Sequence, residues 1–309
     1  MNRTEITGLI AAPYTPFDNN GNLNLDLVAS YAQYLKAQGV SGVFVGGTTG
    51  EGMLMDISER KALLEAWMPH KDEDFKVICH AGATSYKDNQ QLAAHAESNG
   101  ATAISVMGPM FLKPNNVSDL IKYCREVTNA APKTDFYYYH IPSVSGVQLS
   151  MHEFLQEAES ELSTLKGIKF TDANFLEMNL CLNAHEGKWT ILHGQDETLL
   201  AGLALGVKGG VGSTYNYMAP LYLQIIEAFD NGDISTARSL QYLAAKFIEY
   251  LIAFGGGVIG GKPLMRMVGL DCGPLRSPAG NLSQQRVQEF ESIVKELNLL
   301  QYMLSPVKK

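Results

Sequence analysis

The chain has 309 residues and 46% hydrophobic content, enough apolar material for a full core and a balance that excludes a disordered protein. Its 32 acidic against 24 basic residues leave a net charge of −8, a field that repels nucleic acid and acidic membrane surfaces. The four cysteines, Cys79, Cys124, Cys181 and Cys272, lie far apart with no CxxC spacing, which favours reduced thiols over a disulfide framework or a zinc knuckle.

The first apolar run, Leu9 to Pro13, reads as a strand; Pro13 and Pro16 cut it short, and no basic region or cleavage site frames it as a leader. Strand-like runs recur at Gly42 to Gly46, Lys76 to Ala81, Ala103 to Gly108, Asp135 to Ile141, Leu165 to Phe170, Thr190 to Gly194 and Gly209 to Ser213. Helical periods separate them. Leu27, Val28, Tyr31 and Leu35 form one apolar face, and Val117, Leu120, Ile121 and Cys124 form another. Eight such βα units predict an α/β fold, a (β/α)8 TIM barrel over residues 1–231, close to the typical barrel length of about 250 residues. Residues 232–309 read as a C-terminal helical extension. Leu240, Leu243, Phe247 and Leu251 mark one helix, and Val287, Phe290, Ile293, Val294 and Leu297 mark another. Gly255-Gly256-Gly257 and Gly260-Gly261 separate the two, and Pro274 and Pro278 punctuate the loop before the second. No segment approaches the roughly 20 apolar residues of a membrane span, so a cytoplasmic address and no membrane partner are expected.

A barrel carries its working groups at the C-terminal ends of its strands. Lys169 stands near the end of the sixth strand-like run, among apolar neighbours where a lysine is seldom without a function. Strand alternation puts Lys169 and Thr171 on one face and Ile168 and Phe170 on the other. On the fifth run, Tyr137 and Tyr139 share a face opposite Tyr138 and His140. An amine and a phenol on one rim are the minimum equipment for Schiff-base chemistry on a carbonyl. An apolar cavity disfavours an ammonium and so favours the nucleophilic amine; the alternative is a strand-end lysine whose head reaches water.

After the second strand, Gly46-Gly47-Thr48-Thr49-Gly50-Glu51 offers backbone N–H groups and two hydroxyls, a cradle for a carboxylate or phosphate or else a plain βα connection. The seventh and eighth strands end in His193-Gly194-Gln195-Asp196-Glu197 and Gly210-Val211-Gly212-Ser213-Thr214-Tyr215-Asn216. Paired carboxylates beside hydroxyls suit a polyhydroxylated substrate; equally, Asp196 and Glu197 favour the start of the following helix. His80, His140 and His193 also end strands, but His140 and Tyr139 cannot both face one cavity, so no metal is expected.

Together, Gly47-Thr48-Thr49-Gly50-Glu51, Tyr139-His140-Ile141-Pro142, Gly167-Ile168-Lys169-Phe170-Thr171-Asp172 and Gly212-Ser213-Thr214-Tyr215-Asn216 resemble the motifs of one family. It is the pyruvate-dependent class I aldolases that include N-acetylneuraminate lyase and dihydrodipicolinate synthase. The resemblance runs in register from about Gly8 to the C-terminal helices and implies a barrel with a helical extension, assembled as a homotetramer. It implies that Lys169 forms the Schiff base, that Tyr139 relays protons with Thr48, and that Thr48 and Thr49 hold the pyruvyl carboxylate. Tyr-His-Ile-Pro and Gly-Ser-Thr-Tyr-Asn look most like the sialic acid lyases of the family. That likeness places Gly194, Asp196, Glu197 and Ser213 against the glycerol tail of a sugar and Thr171 against a sugar hydroxyl; Gly47 and Gly212, from the same motifs, complete the substrate-binding set.

Two departures carry information. Dihydrodipicolinate synthases place an arginine two residues after the proline of the Tyr139 segment, and here that position is Val144. Many members lend a neighbouring subunit a tyrosine from a Pro-Tyr-Tyr segment, whereas this chain has Pro109-Met110-Phe111-Leu112-Lys113-Pro114. Thr48 with Tyr139, or an ordered water, then carries the proton. The implied activity is reversible cleavage of N-acetylneuraminate to N-acetylmannosamine and pyruvate, with no cofactor and only small-molecule partners. The alternatives are an aldolase acting on a different sugar acid and a catalytically silent sugar-acid binding protein on the same barrel.

Overall fold

The computed structural model describes residues 5–303. Eight strands are hydrogen-bonded in chain order and close into a barrel: β1 (Gly8–Ala11), β2 (Gly42–Val45), β3 (Lys76–His80), β4 (Ala103–Met107), β5 (Asp135–His140), β6 (Leu165–Phe170), β7 (Thr190–His193) and β8 (Gly209–Gly212). All neighbours run parallel, and β8 completes the ring on β1 with Leu9 opposite Gly210 and Ala11 opposite Gly212. Most strands stop one residue short of the sequence expectation. At β2 the cause is visible: Gly46 has φ 71°, a left-handed turn that ends the strand at Val45.

Alternation along each strand supplies two cores. Leu9, Val43, Val45, Val77, Ile104, Val106, Phe136, Tyr138, Ile168 and Phe170 face outward onto the helices. Ile10, Phe44, Ile78, Met107, Tyr137, Tyr139, Leu192 and Val211 point inward and fill the barrel. Burial on both faces is why these strands read as continuous apolar runs. The helix Val117–Thr128 shows the matching stripe, with Val117, Leu120, Ile121 and Cys124 all buried and Asn116 capping its start by accepting from Asp119 N at 2.9 Å.

The C-terminal extension packs its helix Ile234–Ala253 along the last barrel helix, Tyr215–Asp230. Phe290, from the final helix Gln284–Glu296, stacks on Phe247 and Phe254 with ring centroids 5.8 and 4.5 Å away. Burying such a ring contributes about 1.5–3 kcal/mol, and Phe247 carries the cluster onto the barrel by packing edge-on against Tyr217 at 6.1 Å. All four cysteines are buried and unpaired, and burial pushes the Cys79 thiol up to about 11 and the Cys272 thiol to about 12. No single helix among the described residues is long and apolar enough to cross a membrane.

Candidate active site

Strand register brings the phenol and the amine together: Tyr139 of β5 lies directly opposite Lys169 of β6. Both point into the barrel, and Lys169 is only 4% exposed. Its Nζ sits 4.0 Å from the Tyr139 ring centroid and 4.3 Å from that of Phe44, between two ring faces. The Tyr139 hydroxyl is 3.5 Å from Thr48 Oγ1, the outer limit of a hydrogen bond.

A cavity of about 270 Å³ opens above the lysine. Thr48, Thr49, Tyr139, Lys169, Thr171, Gly194, Asp196, Glu197, Gly212 and Ser213, drawn from separate strand ends, all line it. Gly47, expected there, is not among the lining residues. It lies behind the loop, where a Cβ would come within 2.8 Å of the Phe44 ring, so packing against that ring requires a residue without a side chain.

Asp196 is almost wholly buried. Its Oδ2 accepts from Thr214 N at 2.9 Å and from the Thr214 hydroxyl at 2.6 Å, and that hydroxyl also lies 2.7 Å from the Tyr222 hydroxyl. Oδ1 has no partner. Burial pushes the Asp196 carboxyl above the usual carboxylate range; the Thr214 bonds and the Lys169 charge oppose it. Glu197 is raised as well, by burial first and then by Asp196 beside it. Asp196 therefore does not cap the following helix: its side chain turns across the barrel mouth to the chain after β8. Close approach at two strand ends keeps the polar atoms open. A Cβ at Gly194 would stand 1.9 Å from Thr171 Oγ1, and one at Gly212 would stand 1.8 Å from Asp196 Oδ1. The Thr171 hydroxyl is buried and unpartnered, like Asp196 Oδ1.

The three strand-end histidines diverge. His80 faces inward, its ring 5.9 Å from Tyr139 and 5.7 Å from Phe44, with Nδ1 3.1 Å from Gly46 O. Burial, reinforced by the charges of Arg60 and Lys169, holds it well below the ordinary histidine value. His140 packs outward on Phe170 at 4.9 Å, and His193 faces Phe175, pulled down to about 4 by burial. Among the described residues, no group of three or more His, Cys, Asp or Glu is placed to hold a metal ion.

The site also contains residues that the sequence reading left out. Phe44 packs on the Lys169 amine without lining the cavity, and it was recoverable, because alternation along β2 turns it inward between Gly42 and Gly46. Thr214 stood inside a recognised motif without a role. Ile248, Leu251, Ile252 and Gly257 form a wall of the cavity from the extension, and nothing local in the sequence signals that a distant helix reaches the barrel mouth. Phe111 and Leu112, on the loop after β4, are 86% and 79% exposed and do not line the cavity.

The sequence model of the Dihydrodipicolinate synthetase family matches residues 5–297. The N-acetylneuraminate lyase of Rattus norvegicus is 40% identical over 304 residues, covering 97% of this chain and 95% of its own. The structure of the sialic acid aldolase of Aliivibrio salmonicida superposes with a TM-score of 0.93 at 40% identity, covering 97% of this chain and 99% of its own. The Proteus mirabilis N-acetylneuraminate lyase superposes with a TM-score of 0.92, also at 40% identity, over 96% of this chain and 99% of its own.

Proposed function

The chain belongs to the dihydrodipicolinate synthetase family, and from that membership we propose that it is a carbon–carbon lyase cleaving N-acetylneuraminate reversibly to N-acetylmannosamine and pyruvate. The observation that carries the reading is the Lys169 amine, buried between the Tyr139 and Phe44 rings at the end of β6 and facing a cavity rimmed by hydroxyls and carboxylates. We assign the roles as follows. Lys169 attacks C2 of the open-chain sugar acid, and loss of water leaves an iminium. The C3–C4 bond breaks, its electron pair flows into the iminium, and the pyruvyl enamine forms. Tyr139, beside Thr48, removes the proton from the C4 hydroxyl with the substrate carboxylate as intermediary, so that C4 becomes the aldehyde of N-acetylmannosamine. Protonation of the enamine at C3 and hydrolysis release pyruvate and restore the amine. Thr48 and Thr49 hold the pyruvyl carboxylate. At the other end, the unpartnered Thr171 hydroxyl and Asp196 Oδ1, with Glu197 and Ser213, take the sugar hydroxyls.

Borohydride reduction in the presence of pyruvate tests this. A covalent three-carbon adduct on Lys169, with loss of turnover, is the expected result; an adduct elsewhere, or none, overturns the Schiff-base role. Lys169→Ala is expected to fold, since its removal breaks none of the ion pairs found among the described residues.

The exposed apolar Phe111 and Leu112 suit burial against another copy of the chain, and a homotetramer is the assembly proposed, with sedimentation equilibrium as its test. Four buried free thiols suit a reducing compartment, which supports a cytoplasmic location.

A further inference from the structure

The loop that carries Thr48 and Thr49 is anchored from outside the barrel. Glu51 has a left-handed backbone, φ 54°, which aims its side chain away from the cavity. Its carboxylate is buried, and both oxygens are engaged: Oε1 accepts from Lys262 Nζ at 2.7 Å and Oε2 from Arg276 N at 2.8 Å. Lys262 also donates to Pro274 O at 2.8 Å, and its Nζ lies 4.4 Å from the Phe17 ring centroid. The Arg276 side chain continues the clamp, donating to Gly21 O, to Leu54 O at 3.1 Å and to Glu59 at 2.7 Å. Both partners of the Glu51 carboxylate thus come from the C-terminal extension, although neither Glu51 nor Lys262 lines the cavity.

A buried ion pair is a poor source of stability, because desolvating two charges offsets most of their attraction. What it supplies is direction. A carboxylate with both oxygens engaged from a rigid neighbour permits one position of its own backbone, and Glu51 N in turn donates to Thr48 O at 3.1 Å, closing the turn that presents the two threonines. We propose that Glu51, Lys262 and Arg276 form a positioning device through which the extension sets the Thr48 and Thr49 hydroxyls, and with them the affinity for the pyruvyl carboxylate. This rests on the reading that those hydroxyls bind that carboxylate.

The test uses the full-length chain with Glu51→Gln and Lys262→Met combined, which removes both charges and leaves neither buried alone. The folded protein is expected to bind pyruvate about tenfold more weakly, the scale on which small misplacements of a binding group act. KM for N-acetylneuraminate should rise more than kcat falls, and borohydride trapping on Lys169 at saturating pyruvate should persist. Thr49→Val on parallel preparations separates the two ideas. Weakened pyruvate binding in Thr49→Val with an unchanged constant in the double variant overturns the positioning device alone; unchanged constants in both overturn the carboxylate site and the device with it. If the double variant does not fold, Glu51→Asp carries the test, since it keeps the charge beside Lys262 and shortens the reach that fixes the loop. A raised pyruvate inhibition constant then supports the device and an unchanged one overturns it.

Discussion

Asp196 shows how one side chain trades stability for chemistry. Its carboxyl is buried, one oxygen is unpartnered, and burial raises its pKa in the folded state. A raised carboxyl contributes stability that is fully present below the ordinary carboxylate value and is lost as pH rises through the folded value. At neutral pH, above the ordinary carboxylate value, burying the group therefore costs folding free energy. Asp196→Asn keeps an acceptor for Thr214 N and its hydroxyl and removes that cost, so it should melt higher than the parent at pH 7, with the difference shrinking as pH falls from the raised folded value toward the ordinary carboxylate value and gone below it. It should also lose cleavage of the long sugar while keeping pyruvate affinity. Melting curves across pH, with pyruvate inhibition measured on the same samples, check both; a variant less stable at pH 7 would mean that the carboxylate stabilises the fold. That Lys169 and Tyr139 face one cavity was legible because each is a polar group near the end of an apolar strand, whose parity decides its face; Asp196, in the turn after β7, was legible only from the motif around it. Gly47 was not, because the use of a missing side chain depends on what stands behind it, here the Phe44 ring.

At the scale of strands and the loops after them, the site depends on small residues where β7 and β8 end. Gly194 leaves room for the Thr171 hydroxyl and Gly212 for Asp196 Oδ1, with would-be Cβ contacts of 1.9 and 1.8 Å. Gly194→Ala should push Thr171 out of its place and lower kcat/KM for N-acetylneuraminate by about 100-fold, the order that a displacement near 1 Å produces. Pyruvate trapping on Lys169 should be retained, because the pyruvyl end lies on β5, β6 and the loop after β2. An equal loss of trapping would show that the strand ends move as one unit and not as separate subsites. The strands themselves were readable nearly to the residue, since burial on both faces makes them apolar runs bounded by glycine. The last residue of β2 was not, because whether a glycine continues the strand or turns is decided by its φ, and Gly46 turns.

For the molecule as a whole, charge and shape separate two substrates. Val144, where the dihydrodipicolinate synthases that the chain resembles carry an arginine, is apolar and 42% exposed and offers no cation, while the carboxyls of Asp196 and Glu197 line the cavity. On the proposed reading such a rim disfavours a second carboxylate and accepts hydroxyls, so one preparation should cleave N-acetylneuraminate and condense pyruvate with aspartate semialdehyde far more slowly. Faster consumption of the semialdehyde would mean that the sugar end is misassigned. The alternation of apolar runs by itself determined the barrel, and side-chain parity determined that Lys169, Tyr139 and Thr171 share its interior; both are local periodicities, repeated every two or 3.6 residues along the chain. Only the tertiary structure decided that His80 meets the Tyr139 ring, that Ile248, Leu251 and Gly257 wall the cavity, and that Lys262 meets Glu51. Those contacts join residues far apart in the chain through the tips of side chains, and no periodicity encodes where a distant helix comes to rest.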